Sequence, residues 1–170
     1  MSKIIPYVMT EDGWSIPESV MTGIFLEMRR NNLDEVVFAN GTVKNVMAWM
    51  QFVQNTKNVV HVVGNEKEVE MIAWINSFGL NYAFAHFCTF PCAWGKNTVE
   101  IGRMSLKYWF DMGVVDVILG QVPAFNQIAI DYVKKLGLIE VGTVPGIKYK
   151  KEDTVTGSFF CYMTREDYHG

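Results

Sequence analysis

The stretch Phe90-Pro91-Cys92-Ala93-Trp94-Gly95-Lys96-Asn97-Thr98 is where residue types and spacing come closest to chemistry. An apolar, strand-like run ends at Pro91, a glycine stands in the loop, and Thr98 is placed to cap a helix that continues through Trp109 to Met112. A loop that opens a helix presents several backbone N–H groups with no intrahelical partner, aimed at one spot. The helix dipole favours negative charge there, so a pyrophosphate fits the nest formed by Ala93–Thr98. Gly95 supplies the backbone angle and Lys96 a screening positive charge. An ordinary strand-to-helix turn, with Gly95 needed only for its angle, would use the same residues. Trp94 is placed by its loop to lie near such a ligand, whereas Trp49, Trp74 and Trp109 read as core.

Other constellations carry less. His86, Cys88 and Cys92 match no zinc spacing, lack an evident fourth ligand and fall on a strand-like run, so a metal site is set aside. The three cysteines, Cys88, Cys92 and Cys161, form no disulfide framework and read as reduced thiols in a cytoplasmic compartment. Asn126 stands where it can cap a helix that ends at Gly137, with Lys134 and Lys135 complementing the helix C-terminus. Lys148, Lys150 and Lys151 read as solvated surface.

These residues need elements to position them. Ile4–Met9 reads as a strand. Ser15-Ile16-Pro17-Glu18 forms a capping box for a helix to Arg30 that would bury Val20, Ile24 and Met28. Glu35–Ala39 reads as extended. Thr42 caps a second helix with Val43, Val46, Met47, Met50 and Val53 on one face; its methionines would fill core or line an adaptable groove. Strands follow at Asn58–Val63, Val69–Ser77 and Tyr82–Phe90, then the helix from Thr98. Val114–Gly120 reads as a strand buried on both faces. Asn126–Leu136 is a fourth helix, and Leu138–Val144 and Ser158–Thr164 are the last strands, joined by a polar excursion from Gly146 to Gly157. The order is βααβββαβαββ, an α+β class with a mixed sheet of about seven strands and four helices, in one domain spanning 1–170.

The composition narrows the function. At 170 residues the chain can bury one sizeable core, and 49% hydrophobic residues argue against disorder. A formal charge of −3 provides no basic field for nucleic acid. Met1-Ser2-Lys3 and the short apolar run broken at Pro6 do not read as a secretory signal, and no run reaches the roughly 18 apolar residues of a membrane span. The expectation is a protein without nucleic-acid or membrane partners.

The element order and three local patterns resemble the GNAT acyltransferase family. Cys92–Asn97 resembles the loop after the family's fourth strand, Q/R-x-x-G-x-G/A, with Gly95 at the first glycine. Asn126, Ala129 and Leu136-Gly137-Leu138 resemble its N…A…LGF signature, and Met163-Thr164-Arg165-Glu166-Asp167 its closing T-R-E-D. Trp94-Gly95 and Leu138–Gly142 lean toward the ribosomal-protein and small-molecule N-acetyltransferase branch. Cys92, Asn97 and Val133 depart from the pattern; Val133 stands where many members carry a tyrosine that acts as general acid on the leaving thiolate.

The resemblance implies an N-acetyltransferase that moves an acetyl group from acetyl-CoA to an amine by direct attack. The acceptor, a small molecule or a protein N-terminus or lysine, would approach between the first two helices and the final strands. Acetyl-CoA would lie along the strand bearing Phe87, Cys88 and Thr89, with a backbone N–H near Phe87 or Cys88 polarising the thioester carbonyl. Asn126 would hold the pantetheine arm, cap its helix, or do both. His86, Glu70 and Tyr132 are the candidates for proton transfer; a satisfied core histidine, a solvated carboxylate and a packed phenol are their plainer uses. A homodimer fits this reading. A GNAT-like scaffold without catalysis, serving binding or assembly, is the alternative.

Overall fold

The computed structural model describes residues 1–95, 97–149, 152–155 and 157–169. Lys96 of the loop, and Lys150 and Lys151 of the basic cluster, lie outside the described residues. The chain opens with β1 (Lys3–Pro6) and a small hairpin of β2 (Met9–Thr10) and β3 (Gly13–Trp14). Three helices follow, α1 (Glu18–Arg30), α2 (Asp34–Val37) and α3 (Val46–Val53), and then strands β4 (Val59–Gly64), β5 (Val69–Asn76) and β6 (Tyr82–Thr89). A 3-10 turn at Pro91–Ala93 leads into α4 (Thr98–Asp111), β7 (Val117–Pro123), α5 (Gln127–Leu136) and β8 (Ile139–Val144). The short strands β9 (Lys148–Tyr149) and β10 (Glu152–Val155), then β11 (Ser158–Thr164) and α6 (Arg165–His169), complete the chain.

Seven strands form one sheet in the order β1-β4-β5-β6-β7-β11-β8. All neighbours are antiparallel except β6 and β7. Side chains alternate across a strand, and β5 shows the consequence. Met71, Ala73 and Ile75 enter one core with α4 and α5, while Ile72 and Trp74 enter a second with α1 and α3. That second core draws on β4, β5 and β6 but on no residue of β7, β8 or β11. Among the described residues, one half of the sheet thus joins a helical core on both faces, and the other only on the α5 face.

Local capping departs from the expectations in four places. Ser15 does not cap α1: its hydroxyl donates to the Pro6 carbonyl (2.6 Å) and accepts from Val8 N–H (2.9 Å), tying β1 to the helix approach. Glu18 instead accepts from Gln54 Nε2 at 2.7 Å. Glu35–Ala39 is not extended, because Asp34–Val37 closes a helical turn onto β6. Asn45, not Thr42, caps α3, accepting from Ala48 N–H at 2.9 Å. Thr98 begins α4 without capping it; its hydroxyl donates to the Ala93 carbonyl at 2.7 Å and closes the loop.

The apolar stripes shift as well. In α1 the buried residues are Met21, Ile24, Phe25 and Met28, with Val20 exposed. In α3, Met47 is exposed, and Trp49 and Val53 carry the burial. β7 begins at Val117, not Val114, and alternates buried with accessible positions, since only its α5 face is packed. Asn126 and Gly137 behave as expected: Asn126 Oδ1 accepts from Ala129 N–H at 3.1 Å, and Gly137 ends α5 at φ +99°. No described helix is long and apolar enough to cross a membrane.

Candidate functional site: a splayed strand pair and the helix beside it

β6 and β7 pair only at Tyr82↔Val117, Ala83↔Ile118 and Phe84↔Leu119. Beyond Phe84 the two strands separate, leaving a break in the middle of a continuous sheet. Which backbone groups line it follows from the ladder to β5. Phe90 N–H donates to the Glu70 carbonyl at 2.9 Å, and the register continues unbroken through Cys88↔Ile72 and His86↔Trp74. Antiparallel pairing directs every second residue's N–H and C=O to the same neighbour. Cys88 and His86 therefore bond to β5, while Phe87 and Thr89 turn theirs toward the gap. Of the two donors expected from the sequence, Phe87 faces the opening and Cys88 does not. The same counting on β7, from the Ala124 N–H bond to the Gly157 carbonyl (3.1 Å), turns Gln121 N–H toward the gap.

A cavity of about 130 Å³ occupies the splay. Ala85, His86 and Phe87 of β6 and Gly120–Pro123 of β7 form its sides. Asn126, Ala129, Tyr132 and Val133 close it on the α5 side, and Val36 and Val37 of α2 on the other. It therefore passes through the plane of the sheet.

Among the described residues, two titratable side chains line this cavity, His86 and Tyr132. The His86 ring stacks on Trp74 (centroids 5.3 Å apart, 12° between planes), and its Nε2 lies 3.1 Å from Asn76 Oδ1. Burial lowers its pKa to about 4, so the ring is neutral at neutral pH. Tyr132 donates its hydroxyl to the Thr98 carbonyl at 3.0 Å and packs edge-on against Phe87. Burial raises its pKa above the ordinary phenol value. Tyr132 also occupies the space beside Gly102: a Cβ there would stand 2.2 Å from its oxygen. Glu70 does not reach the cavity. It is buried at the far end of β5, where Oε1 meets Asn65 Nδ2 at 3.4 Å and Oε2 has no partner among the described residues.

The loop beyond β6 brings the helix start to the same edge. Ala93 is buried, and Trp94 lies exposed across the loop with its indole N–H donating to the Thr89 carbonyl at 3.1 Å. Gly95 has φ +95°, and nothing lies within 4 Å of the place a Cβ would occupy, so the conformation alone requires glycine. Asn97 precedes α4 without capping it. No described residue accepts from the N–H groups of Thr98, Val99 or Glu100. Cys92 is an exposed thiol, 3.4 Å from the Val69 carbonyl, with its pKa raised by burial and by Glu68 and Glu70. Among the described residues no group of His, Cys, Asp or Glu could hold a metal ion.

Three contributors were missed in the sequence. Val36 and Val37 fell in the segment read as extended, and their approach to β6 is a tertiary fact. Gln121 is the lone polar residue in Val-Ile-Leu-Gly-Gln-Val-Pro, a signal that was available. Its Nε2 donates to Ser158 Oγ (3.1 Å) and Tyr149 OH (3.3 Å), and those two hydroxyls also bond to one another.

A mixed sheet that splays between two parallel central strands, with a helix opening where the first of them ends, is the fold of the GNAT acyltransferases. Solved structures share it over nearly the whole chain. Spermidine N-acetyltransferase from Vibrio cholerae, in complex with CoA and spermine, superposes with a TM-score of 0.79 at 12% identity, covering 99% of this chain and 98% of that one. The microcin C7 self-immunity acetyltransferase, in complex with acetyl-CoA and AMP, gives 0.70 at 11% identity over 92% and 98%. Ribosomal-protein-S5-alanine acetyltransferase from Vibrio fischeri gives 0.70 at 12% identity over 90% and 92%. No protein-family model and no curated protein matches the sequence.

Proposed function

We propose that this chain is an acetyl-CoA-dependent N-acetyltransferase acting on an amine. The observation that carries the reading is the Phe87 N–H, without a partner among the described residues, facing a cavity that runs through the sheet one loop away from the N-terminus of α4. The neighbours crystallised with CoA or acetyl-CoA share this fold and support the choice of co-substrate.

The residues present suit that co-substrate. The first turn of α4 offers the N–H groups of Thr98, Val99 and Glu100, which have no acceptor among the described residues, to a pyrophosphate, and Gly95 turns the chain into it. Phe87 and the N–H of Thr89, whose carbonyl already accepts from the Trp94 indole, offer edge groups along which an extended amide-bearing arm can pair like an added strand. Asn126 lines the cavity while capping α5, so its side chain oxygen is already committed to Ala129. Acetyl-CoA supplies the activated acyl carbon of a thioester. Phe87 N–H is positioned to donate to a carbonyl oxygen that gains charge during attack; such a backbone donor contributes roughly 10²–10³ in rate.

His86 sits on the α2 side, opposite Tyr132. An amine nitrogen becomes strongly acidic once it bonds to a carbonyl carbon, so even a weakly basic imidazole accepts its proton. Val133 offers no proton, and the Tyr132 hydroxyl is committed to Thr98. The proton that leaves the amine is the one the departing thiol requires, and it returns through His86 and solvent.

Calorimetric titration of acetyl-CoA and free CoA tests the reading, alongside Gly95→Glu, which puts a carboxylate into the loop. Micromolar binding that the substitution abolishes is the expected result. A folded wild-type protein that binds neither ligand would reduce the molecule to a scaffold with this fold.

A further inference from the structure

The side of the cavity from which an amine would approach is lined by uncharged residues among those described. Val36 and Val37 of α2, the neutral His86 ring and Gln121 form it, and no Asp, Glu, Lys or Arg lines the cavity among the described residues. Leu119, Gln121 and Phe160 lie on the same sheet face by strand alternation, beyond the reach of the α1–α3 core. An ammonium ion at this wall would meet no counter-ion among the described residues, whereas a neutral amine needs none.

Gln121 supplies the polar contact that remains. Both hydrogens of its Nε2 are directed at oxygens, those of Ser158 and Tyr149. Ser158 is fully buried, which fixes the amide's orientation. Its Oε1 therefore faces away from this pair, and no described residue donates to it. A carbonyl oxygen accepts from the N–H of a neutral amine and leaves the nitrogen lone pair free to attack.

We infer that the acceptor is a weakly basic primary amine carried on an apolar group, oriented by Gln121 Oε1. This rests on the acetyl-transfer reading above. The N–C bond forms as the C–S bond breaks, and one amine proton ends on the thiol, so no further reactant is required. A site that binds only the neutral form selects by amine basicity. An α-amine titrates near 8 and a lysine-type amine near 10.4, so at neutral pH their neutral fractions differ by roughly 300-fold. The low basicity of His86 points the same way, because it does not deprotonate a free alkylammonium effectively. The α-amine of a peptide with an apolar first residue and a small aromatic amine share this chemistry.

The test is acetyl transfer from acetyl-CoA at neutral pH, read as free thiol released and as the mass of the product. The acceptors are a leucine-initiated tripeptide without lysine, 4-ethylaniline, an Nα-blocked lysine peptide and spermidine. The expected result is a kcat/KM for the tripeptide or for 4-ethylaniline at least 100-fold above both strongly basic amines, and which of the two leads identifies the source. A smaller ratio overturns the inference. So does acetyl-CoA binding without transfer to any of the four, an outcome that leaves the co-substrate site standing; absence of acetyl-CoA binding removes both. Gln121→Glu keeps the shape and adds a carboxylate, and should move the ratio at least tenfold toward spermidine. An unchanged ratio with a folded variant would refute the role of Gln121.

Discussion

Tyr132 shows how one side chain can look catalytic and be structural. Its phenol lines the cavity one position before the residue where a general acid would be sought, yet it donates to the Thr98 carbonyl and is held against Gly102. Tyr132→Phe should therefore cost about 1 kcal/mol of unfolding free energy in urea and leave kcat within about threefold. A hundredfold fall in kcat with stability intact would restore the phenol as an acid. Gly102→Ala would drive a methyl group into the Tyr132 oxygen and Leu136 and should destabilise by about 1–3 kcal/mol, measured the same way. His86 is the converse case. Its ring is half-buried on Trp74 with a lowered pKa, so kcat at saturating amine should hold down to a pH near 4 before falling, and His86→Ala should lower it roughly a hundredfold. An acid limb near the ordinary imidazole value of about 6.5 would place the proton acceptor elsewhere.

At the scale of elements, the sequence was most legible where a single residue type has one mechanical use. Asn126 and Gly137 bracket α5 as their chemistry requires, and Asn126→Ala should cost about 1 kcal/mol in thermal or urea unfolding through loss of the cap. The alternating apolar run of Tyr82–Phe90 was readable as a strand, and Gly95 as a loop glycine. The α1 and α3 starts were not, because Ser15 and Thr42 were credited with helices that Pro17 and Asn45 begin; a hydroxyl can serve a neighbouring strand as readily as a cap. The separation of β6 from β7 lies beyond any local pattern. Both strands carry ordinary β sequences, and only their neighbours, β5 on one side and β11 on the other, decide that they diverge after Phe84. Candidate residues could thus be named from the chain, while the choice of Phe87 over Cys88 required the register.

At the scale of the molecule, two cores on either side of one sheet divide the labour. The core of α4 and α5 supports the loop and the cavity's α5 wall, and that of α1 and α3 holds Trp74 beneath His86. The first also buries His61 completely under α4, with Nε2 2.8 Å from Ser105 Oγ, Nδ1 without a partner among the described residues, and a pKa lowered to about 3. A histidine whose folded pKa lies below its unfolded value binds more protons when unfolded, so its contribution is complete above about pH 6.5 and is lost as pH falls toward 3. Unfolding free energy should decline over that window by up to about 1.4 kcal/mol per pH unit from His61, with a smaller, solvent-screened share from His86. Urea titrations from pH 7 to pH 4 check this, and His61→Gln should flatten the slope.

The central claim, that the splay between β6 and β7 is where the acyl group is held, is tested most directly by residue-resolved amide hydrogen exchange with and without acetyl-CoA. Phe87 N–H faces the gap with no partner among the described residues and should exchange fast in the free protein, then become protected when acetyl-CoA binds. Cys88 N–H, one residue away and already bonded to β5, should be protected in both states. Binding of acetyl-CoA that leaves Phe87 exchanging as before would contradict the account.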